Sequence, residues 1–171
     1  MVEADVLNIG MVSTDQYYYA CATLNQAGIM VTASHNPPEY GGFKMVKQMP
    51  EILGGEMVQA LRSIVETEAF ARPSRHGKMI EKVRDVDLPE GFAEKVLSLI
   101  DVDALMPLKV IADTGNGMVG PILQRIYSRL PTVELTGMYL EPDGNLPNRG
   151  PDPLKPENRA GVAAAGRCRR C

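Results

Sequence analysis

Apolar residues in this chain follow two spacings, and the switches between them divide it into elements. Short continuous runs bounded by Gly, Pro or polar residues predict buried strands at Asp5-Val6-Leu7-Asn8-Ile9, Gly28-Ile29-Met30-Val31, Gly42-Phe43-Lys44-Met45-Val46 and Leu108-Lys109-Val110-Ile111-Ala112. Between the first two, Ser13-Thr14-Asp15 precedes Tyr17, Tyr18, Ala20, Cys21 and Leu24. That pattern predicts a capped helix running to about Gly28. Strand, helix and strand at this spacing read as a βαβ unit, with Ser34 beyond the carboxyl end of its second strand, where open α/β sheets bind ligands. The adjacent tyrosines are expected to be partly core, with one hydroxyl facing that site. Further helices are predicted from one-sided apolar spacing. Glu51 to Glu68 carries Leu53, Met57, Leu61, Ile64 and Val65. Pro89 to about Leu105 carries Phe92, Val96, Leu99 and Ile100, with Pro89 in the first turn. Pro121 to Leu130 carries Ile122, Leu123, Ile126 and Leu130. Arg72 to Gly77 reads as a polar loop in which His76 is solvated.

This alternation predicts an α/β fold. Ala, Gly, Arg and Cys supply 12 of the 13 residues from Arg159 onward, with no apolar period, so residues 159–171 are expected to form a disordered tail.

Composition narrows the function classes. At 171 residues, with 44% hydrophobic and 23% charged, the chain suits a soluble globular protein that buries a sizeable core. Eighteen basic against 21 acidic residues give a net charge of −3, which argues against nucleic acid or an anionic membrane as partner. No apolar run reaches the length of a membrane span, and the first residues lack a signal-peptide pattern. Cys168 and Cys171 form C-x-x-C, but no second pair or nearby histidine completes a zinc site. With Cys21 the three thiols make an odd number, and the expected location is cytoplasmic.

The densest polar chemistry lies at Thr32-Ala33-Ser34-His35-Asn36-Pro37-Pro38. Pro37 and Pro38 fix their own φ and push the preceding residue towards extended geometry, so the loop is stiff. Ser, Asn and Pro are also ordinary turn residues, and composition alone leaves a reactive loop and a plain turn both open. Gly115, Gly117 and Gly120 are spaced as G-x-G-x-x-G after a strand, a turn that can place phosphate on backbone N–H groups. No acidic residue at the ribose distance accompanies it.

Three segments carry a family resemblance. Thr32 to Val46, TASHNPPEYGGFKMV, closely resembles the phosphoserine loop of the α-D-phosphohexomutases, phosphomannomutase/phosphoglucomutase branch. Asp113 to Gly120 resembles the D-x-G-N-G-x-x-G stretch opening their second domain, where its role is structural, at an interdomain seam. Glu141 to Asn148 and Pro151 to Asn158 resemble their P-D-G-x-F-P-N…P-x-P-x-x-P-E-N signature. Two positions depart: Leu146 stands where that pattern has Phe, and Gly41 where the family commonly has Asn. The resemblance covers about Val6 to Asn158 and implies a mixed sheet with helices on both faces, in two units: the later part of domain one (residues 1–105) and the start of domain two (residues 106–158). It implies a truncated chain, whose frame shifts or ends near Arg159. Absent would be the front of domain one, an Asp-Gly-Asp metal loop, a sugar-discriminating third domain and a phosphate-clamping fourth.

The resemblance also implies a reaction: transfer of a phosphoryl group between O1 and O6 of a hexose phosphate, through a phosphoserine and a bound bisphosphate. Ser34 would be the phosphorylated nucleophile and one ligand of Mg²⁺. Lys44 would act as general acid/base or as a cation binding the substrate phosphate. His35 would orient substrate or carry a proton, and Asn36 would fix the loop and bind substrate. A hexose 1,6-bisphosphate would serve as activator, and the Gly-Phe-Lys ending favours mannose and glucose phosphates over the glucosamine branch. The implied partners are the hexose phosphate and the missing domains of the parent mutase, without which the chain alone would be inactive. Two rivals stand beside this. One is a non-catalytic remnant that binds sugar phosphate. The other is a serine hydrolase, which has no G-x-S-x-G elbow here, no other histidine than His76, and a His35 expected to point away from Ser34.

Overall fold

The computed structural model describes residues 4–49, 51–69 and 80–168. Its first unit begins with strand β1 (Ala4–Asn8) and helix α1 (Thr14–Leu24). Ser13 caps α1 through a reciprocal box with Gln16, in which each side chain accepts the other residue's backbone N–H. The helix ends at Asn25, whose φ of 50° is the left-handed geometry that an asparagine tolerates. Strands β2 (Gly28–Val31) and β3 (Phe43–Gln48) then form an antiparallel hairpin, Val31 opposite Phe43 and Met30 opposite Lys44, with the Ser34 loop at its tip.

The expected βαβ unit is not formed as such. β1 pairs in parallel with β5 (Ile80–Asp85), and β2 pairs with β3, so no ladder joins β1 to β2. β5 escaped the sequence reading because Ile-Glu-Lys-Val-Arg-Asp is mostly charged. Its placement rests on partners far away in the chain, Arg84 to Asp5 at 3.0 Å and Asn8 to Asp85 at 2.7 Å. The predicted helix from Glu51 also starts late. Glu51 and Ile52 form strand β4 on the edge of β3, and helix α2 runs Gly55–Glu66. Its stripe of Met57, Leu61, Ile64 and Val65 is exposed, and α2 buries no residue among those described.

Tyr17, Cys21, Val12 and Val46 form the first unit's core, with Ile9, Tyr18, Met30 and Met49 packed against it. Gly28 is required there, since a Cβ would run into Cys21 Sγ and the Tyr17 ring. Tyr17 is 2% exposed, and its hydroxyl donates to the Gly28 carbonyl at 2.8 Å, with the Lys44 carbonyl oxygen at 3.2 Å. The Tyr17 hydroxyl is thus spent tying α1 to the hairpin.

Burial, and then the nearby Cys21, push the Tyr17 phenol up to about 12 from its ordinary 10.0. The folded chain favours the neutral phenol, so this stabilisation is complete below pH 10 and is lost as pH rises towards 12. In urea titrations, the stability advantage of wild type over Tyr17→Phe should therefore shrink across that window; a constant difference would remove this assignment.

The second unit starts with helix α3 (Pro89–Leu97), shorter than predicted and followed by a single 3₁₀ turn at Val102–Ala104. Strand β6 (Leu108–Asp113), helix α4 (Gly120–Tyr127) and strand β7 (Val133–Met138) form a parallel βαβ unit, in register from Leu108 opposite Val133 to Asp113 opposite Met138. Glu90 of α3 is held by Arg125 and Arg129, which lower its carboxyl below the usual range. The other side of α3 stacks Phe92 edge-on against Tyr19 of α1 at 5.5 Å. α3, read above as part of residues 1–105, is therefore the joint between the units.

The disordered tail is a correction. Residues Pro156–Cys168 form helix α5, opening on a proline in its first turn. Its small residues let it lie against β6: Gly166 faces Ile111, and Gly161 faces Met138 of β7. A stripe of Ala and Gly has no apolar period, yet it gives a helix that packs closely. His76 and Cys171 lie outside the described residues.

Candidate active site

The hairpin β2–β3 carries the polar loop, and the loop holds itself. Thr32 N–H donates to the Gly42 carbonyl at 2.9 Å, closing the hairpin, and Ser34 N–H donates to Thr32 Oγ1 at 3.0 Å. Asn36 donates from its side chain to the Ala33 carbonyl at 2.9 Å and from its backbone at 3.2 Å. Ser34 sits at φ 56°, left-handed geometry that costs a non-glycine residue about 1 kcal/mol or more and is held by its surroundings. That turn ends the strand-like alternation of side chains. Ser34 Oγ and His35 Nδ1 come to 3.0 Å, both exposed. The expectation that His35 points away from Ser34 is wrong for this reason.

Ser34 and His35 face the second unit across a cleft of about 390 Å³. The far wall holds Asp113, Thr114, Gly115 and Arg149. There, Asp113 at the end of β6 has both carboxylate oxygens engaged: Oδ1 accepts the Gly115 N–H at 2.8 Å, and Oδ2 accepts Arg149 Nε at 2.8 Å. The two side chains are 6% and 14% exposed, so this ion pair is largely shielded from solvent. Gly115, at φ 53°, lies directly under the Arg149 guanidinium, where a Cβ has no room. Asn116, also left-handed at φ 59°, donates to the Glu141 carbonyl at 2.9 Å and accepts from the Asn148 side chain at 2.8 Å. The Gly-rich turn thus anchors the proline-rich loop, and it also lines the cleft opposite Ser34, at the seam between the units.

Lys44 lies elsewhere. It stands in β3 opposite Met30, on the hairpin side that packs towards α1, is half-buried, and does not line the cleft. Asn36 does not line it either. Arg149 was missed because it falls between the two stretches that carried the third resemblance. An arginine among prolines and asparagines was its only signal.

Among the described residues, no three His, Cys, Asp or Glu side chains are grouped to hold a metal ion, and Asp113 is already committed to Arg149 and Gly115. The residues present do not fit Mg²⁺ by themselves. No helix among the described residues is long and apolar enough to cross a membrane.

Residues 2–72 match the family model described as phosphoglucomutase/phosphomannomutase, alpha/beta/alpha domain I, and residues 90–169 match domain II of the same family. The chain belongs to the phosphoglucomutase/phosphomannomutase family. It is 37% identical over 161 residues to a phosphoglucomutase of Neisseria gonorrhoeae, covering 94% of this chain and 33% of that protein. It is 38% identical over 154 residues to the phosphomannomutase/phosphoglucomutase of Pseudomonas aeruginosa, covering 90% and 31%. Among solved structures, a phosphoglucomutase/phosphomannomutase family protein of Burkholderia thailandensis superposes with a TM-score of 0.77 at 31% identity, over 95% of this chain and 35% of that one. The chain thus spans about a third of the length of the relatives it matches. The domain II match extends through α5, and α3 falls at its start. The mixed α/β class agrees with these relatives, with the strands falling into three small sheets.

Proposed function

We propose that this chain is the nucleophile-bearing part of a phosphohexomutase that interconverts hexose 1-phosphate and 6-phosphate, with glucose and mannose phosphates as the substrate class. The observation that supports it best is the Ser34–His35 pair, 3.0 Å apart at the tip of a self-bonded hairpin and facing a cleft into the second unit. In the transfer step, the bond between phosphorus and Ser34 Oγ breaks as a bond to a sugar hydroxyl oxygen forms. The hydroxyl proton leaves with a base, and Oγ regains a proton or stays anionic until it is rephosphorylated. His35 Nδ1, 3.0 Å from Oγ, would exchange that proton with it. Lys44 would serve from β3 as a cation near the loop, and Asn36 would keep the loop in shape. No step is routed through Mg²⁺, whose carboxylate ligands would have to come from elsewhere. The hexose bisphosphate activator is part of the same proposal.

The same Ser–His contact would suit acyl transfer. That reading lacks an orienting group, since among the described residues no carboxylate is bonded to the other ring nitrogen of His35.

Two assays test the proposal. With Mg²⁺ and glucose 1,6-bisphosphate, the chain alone should not turn over glucose 1-phosphate, because a nucleophile without a substrate clamp has little transition-state stabilisation to offer. Grafted into the N. gonorrhoeae phosphoglucomutase in place of the matching third, it should support turnover. An inactive but folded graft would count against the mutase reading. Binding of glucose 1-phosphate by the chain alone that survives Ser34→Ala would favour a binding remnant, and labelling of Ser34 by a fluorophosphonate would favour the hydrolase.

A further inference from the structure

Among the described residues that line the cleft between the units, Arg149 is the one permanent cation. Lys44 does not line it, and the other ionisable side chains there are His35 and Asp113. The glycine turn offers an anion little, because its backbone donors are spent. Thr114 N–H donates to the Met138 carbonyl at 3.1 Å, Gly115 N–H to Asp113 Oδ1 at 2.8 Å, Asn116 N–H to the Tyr139 carbonyl at 2.9 Å and Gly117 N–H to the Thr114 carbonyl at 2.8 Å. The Thr114 hydroxyl donates to the Tyr139 carbonyl at 2.7 Å. A phosphate cradle needs such groups free and convergent, so the G-x-G-x-x-G spacing does not make one here.

Arg149 is only partly committed. A guanidinium carries five N–H donors. Nε is bonded to Asp113, and Nη1 donates to the Gly150 carbonyl at 3.0 Å. Nη2 has no hydrogen-bond partner among the described residues. No buried side-chain nitrogen or oxygen among them lacks a partner, so Nη2 reaches open space. It lies 2.6 Å from where a Cβ of Gly115 would stand, and Gly115 borders the cleft. The glycine therefore leaves Nη2 uncovered on the side that Ser34 faces. Asp113, the counter-charge, already holds an N–H at each oxygen, and its side chain is 6% exposed.

We propose that Arg149 binds the phosphoryl group carried by Ser34, with Nη2 donating to its oxygens across the cleft while Nε stays on Asp113. The ligand is a phosphate monoester, which a planar guanidinium with free N–H donors suits. A phosphoserine brings about −1.5 to −2 units of charge, and His35 alone would not balance that from within the cleft. In phosphoryl transfer, such a cation stabilises charge on the oxygens of the group in flight. The proposal rests on the reading of Ser34 as the phosphorylated residue and adds to it a contact from the second unit.

Genetically encoded phosphoserine at position 34 of the full chain tests this, with ³¹P NMR following its second ionisation, ordinarily at about pH 6. The reference is the Asp113→Asn/Arg149→Met double variant, which removes the cation without stranding its carboxylate. His35 and Lys44 are present in both, so their effects cancel. The phosphoserine should ionise about one pH unit lower in the wild-type chain than in the double variant. Asp113→Asn alone leaves Arg149 without its counter-charge and should lower the ionisation further, which keeps the test decisive even if the double variant does not fold. An ionisation that is the same with and without Arg149, or unmoved by Asp113→Asn, would overturn the proposal. So would glucose 1-phosphate binding to the Ser34→Ala chain that depends on Arg149 while the phosphoserine ionisation does not, since the sugar's phosphate would then be the group held. A lowered ionisation together with an inactive graft would sink the mutase reading and leave this contact standing; an active graft with an unmoved ionisation would do the reverse.

Discussion

Arg149→Ala is expected to lower the stability of the second unit by about 3–5 kcal/mol, because it strands a buried carboxylate. The Asp113 side chain is 6% exposed, and only the Gly115 N–H would remain to it. The loop from Asp143 to Pro153 would also lose its tie to β6, leaving Asn116, through Asn148 and Asp143, and Asn158, through the Gly150 and Asp152 carbonyls, to hold it. Arg149→Lys should recover only part of the loss. The guanidinium bonds Asp113 through Nε and the Gly150 carbonyl through a terminal nitrogen at once, which a point ammonium cannot reproduce. The Asp113→Asn/Arg149→Ala double variant should be more stable than the sum of the single losses, since the stranded charge is removed with its partner. Urea unfolding followed by circular dichroism measures all of these. A loss below about 1 kcal/mol for Arg149→Ala would mean that the pair is solvated like an ordinary surface bridge.

The second large effect is catalytic. In the graft described above, Ser34→Ala should reduce kcat by at least about 10⁴-fold, since no other hydroxyl takes the place of the covalent carrier. His35→Ala should cost about 10²–10⁴-fold, the usual worth of a positioned proton carrier. A His35→Gln variant separates proton transfer from packing. It can keep a polar contact to Ser34 Oγ but cannot carry a proton, so it should be as slow as His35→Ala. If His35→Gln keeps near-wild-type kcat, His35 is a positioning residue for Ser34 and the proton travels another way.

Much of the fold was legible because its signals are local. The box between Ser13 and Gln16 and the left-handed Asn25 bound α1, and β2 runs from Gly28 to Val31 as the apolar run does. β6 and the glycine turn after it, like the serine loop between β2 and β3, are written in consecutive residues. β5 and β7 were not read, because mixed or charged strands take their identity from the parallel partner they find far away in the chain. α5 was read as disordered because small residues carry no apolar period, whereas packing against β6 and β7 asks only for closeness.

The sequence by itself determined the α/β class, the capped first helix and a stiff hairpin loop bearing Ser34, since each depends on residues within a few positions of one another. Only the tertiary structure decided what surrounds that serine. A left-handed turn at Ser34 brings His35 onto its hydroxyl. An ion pair spanning 36 positions sets Arg149 and Asp113 across the cleft. β1 and β2 follow one another in the chain yet pair in separate sheets. Hydrogen bonds and charges between distant residues form only once the chain has closed on itself, and no local pattern records them.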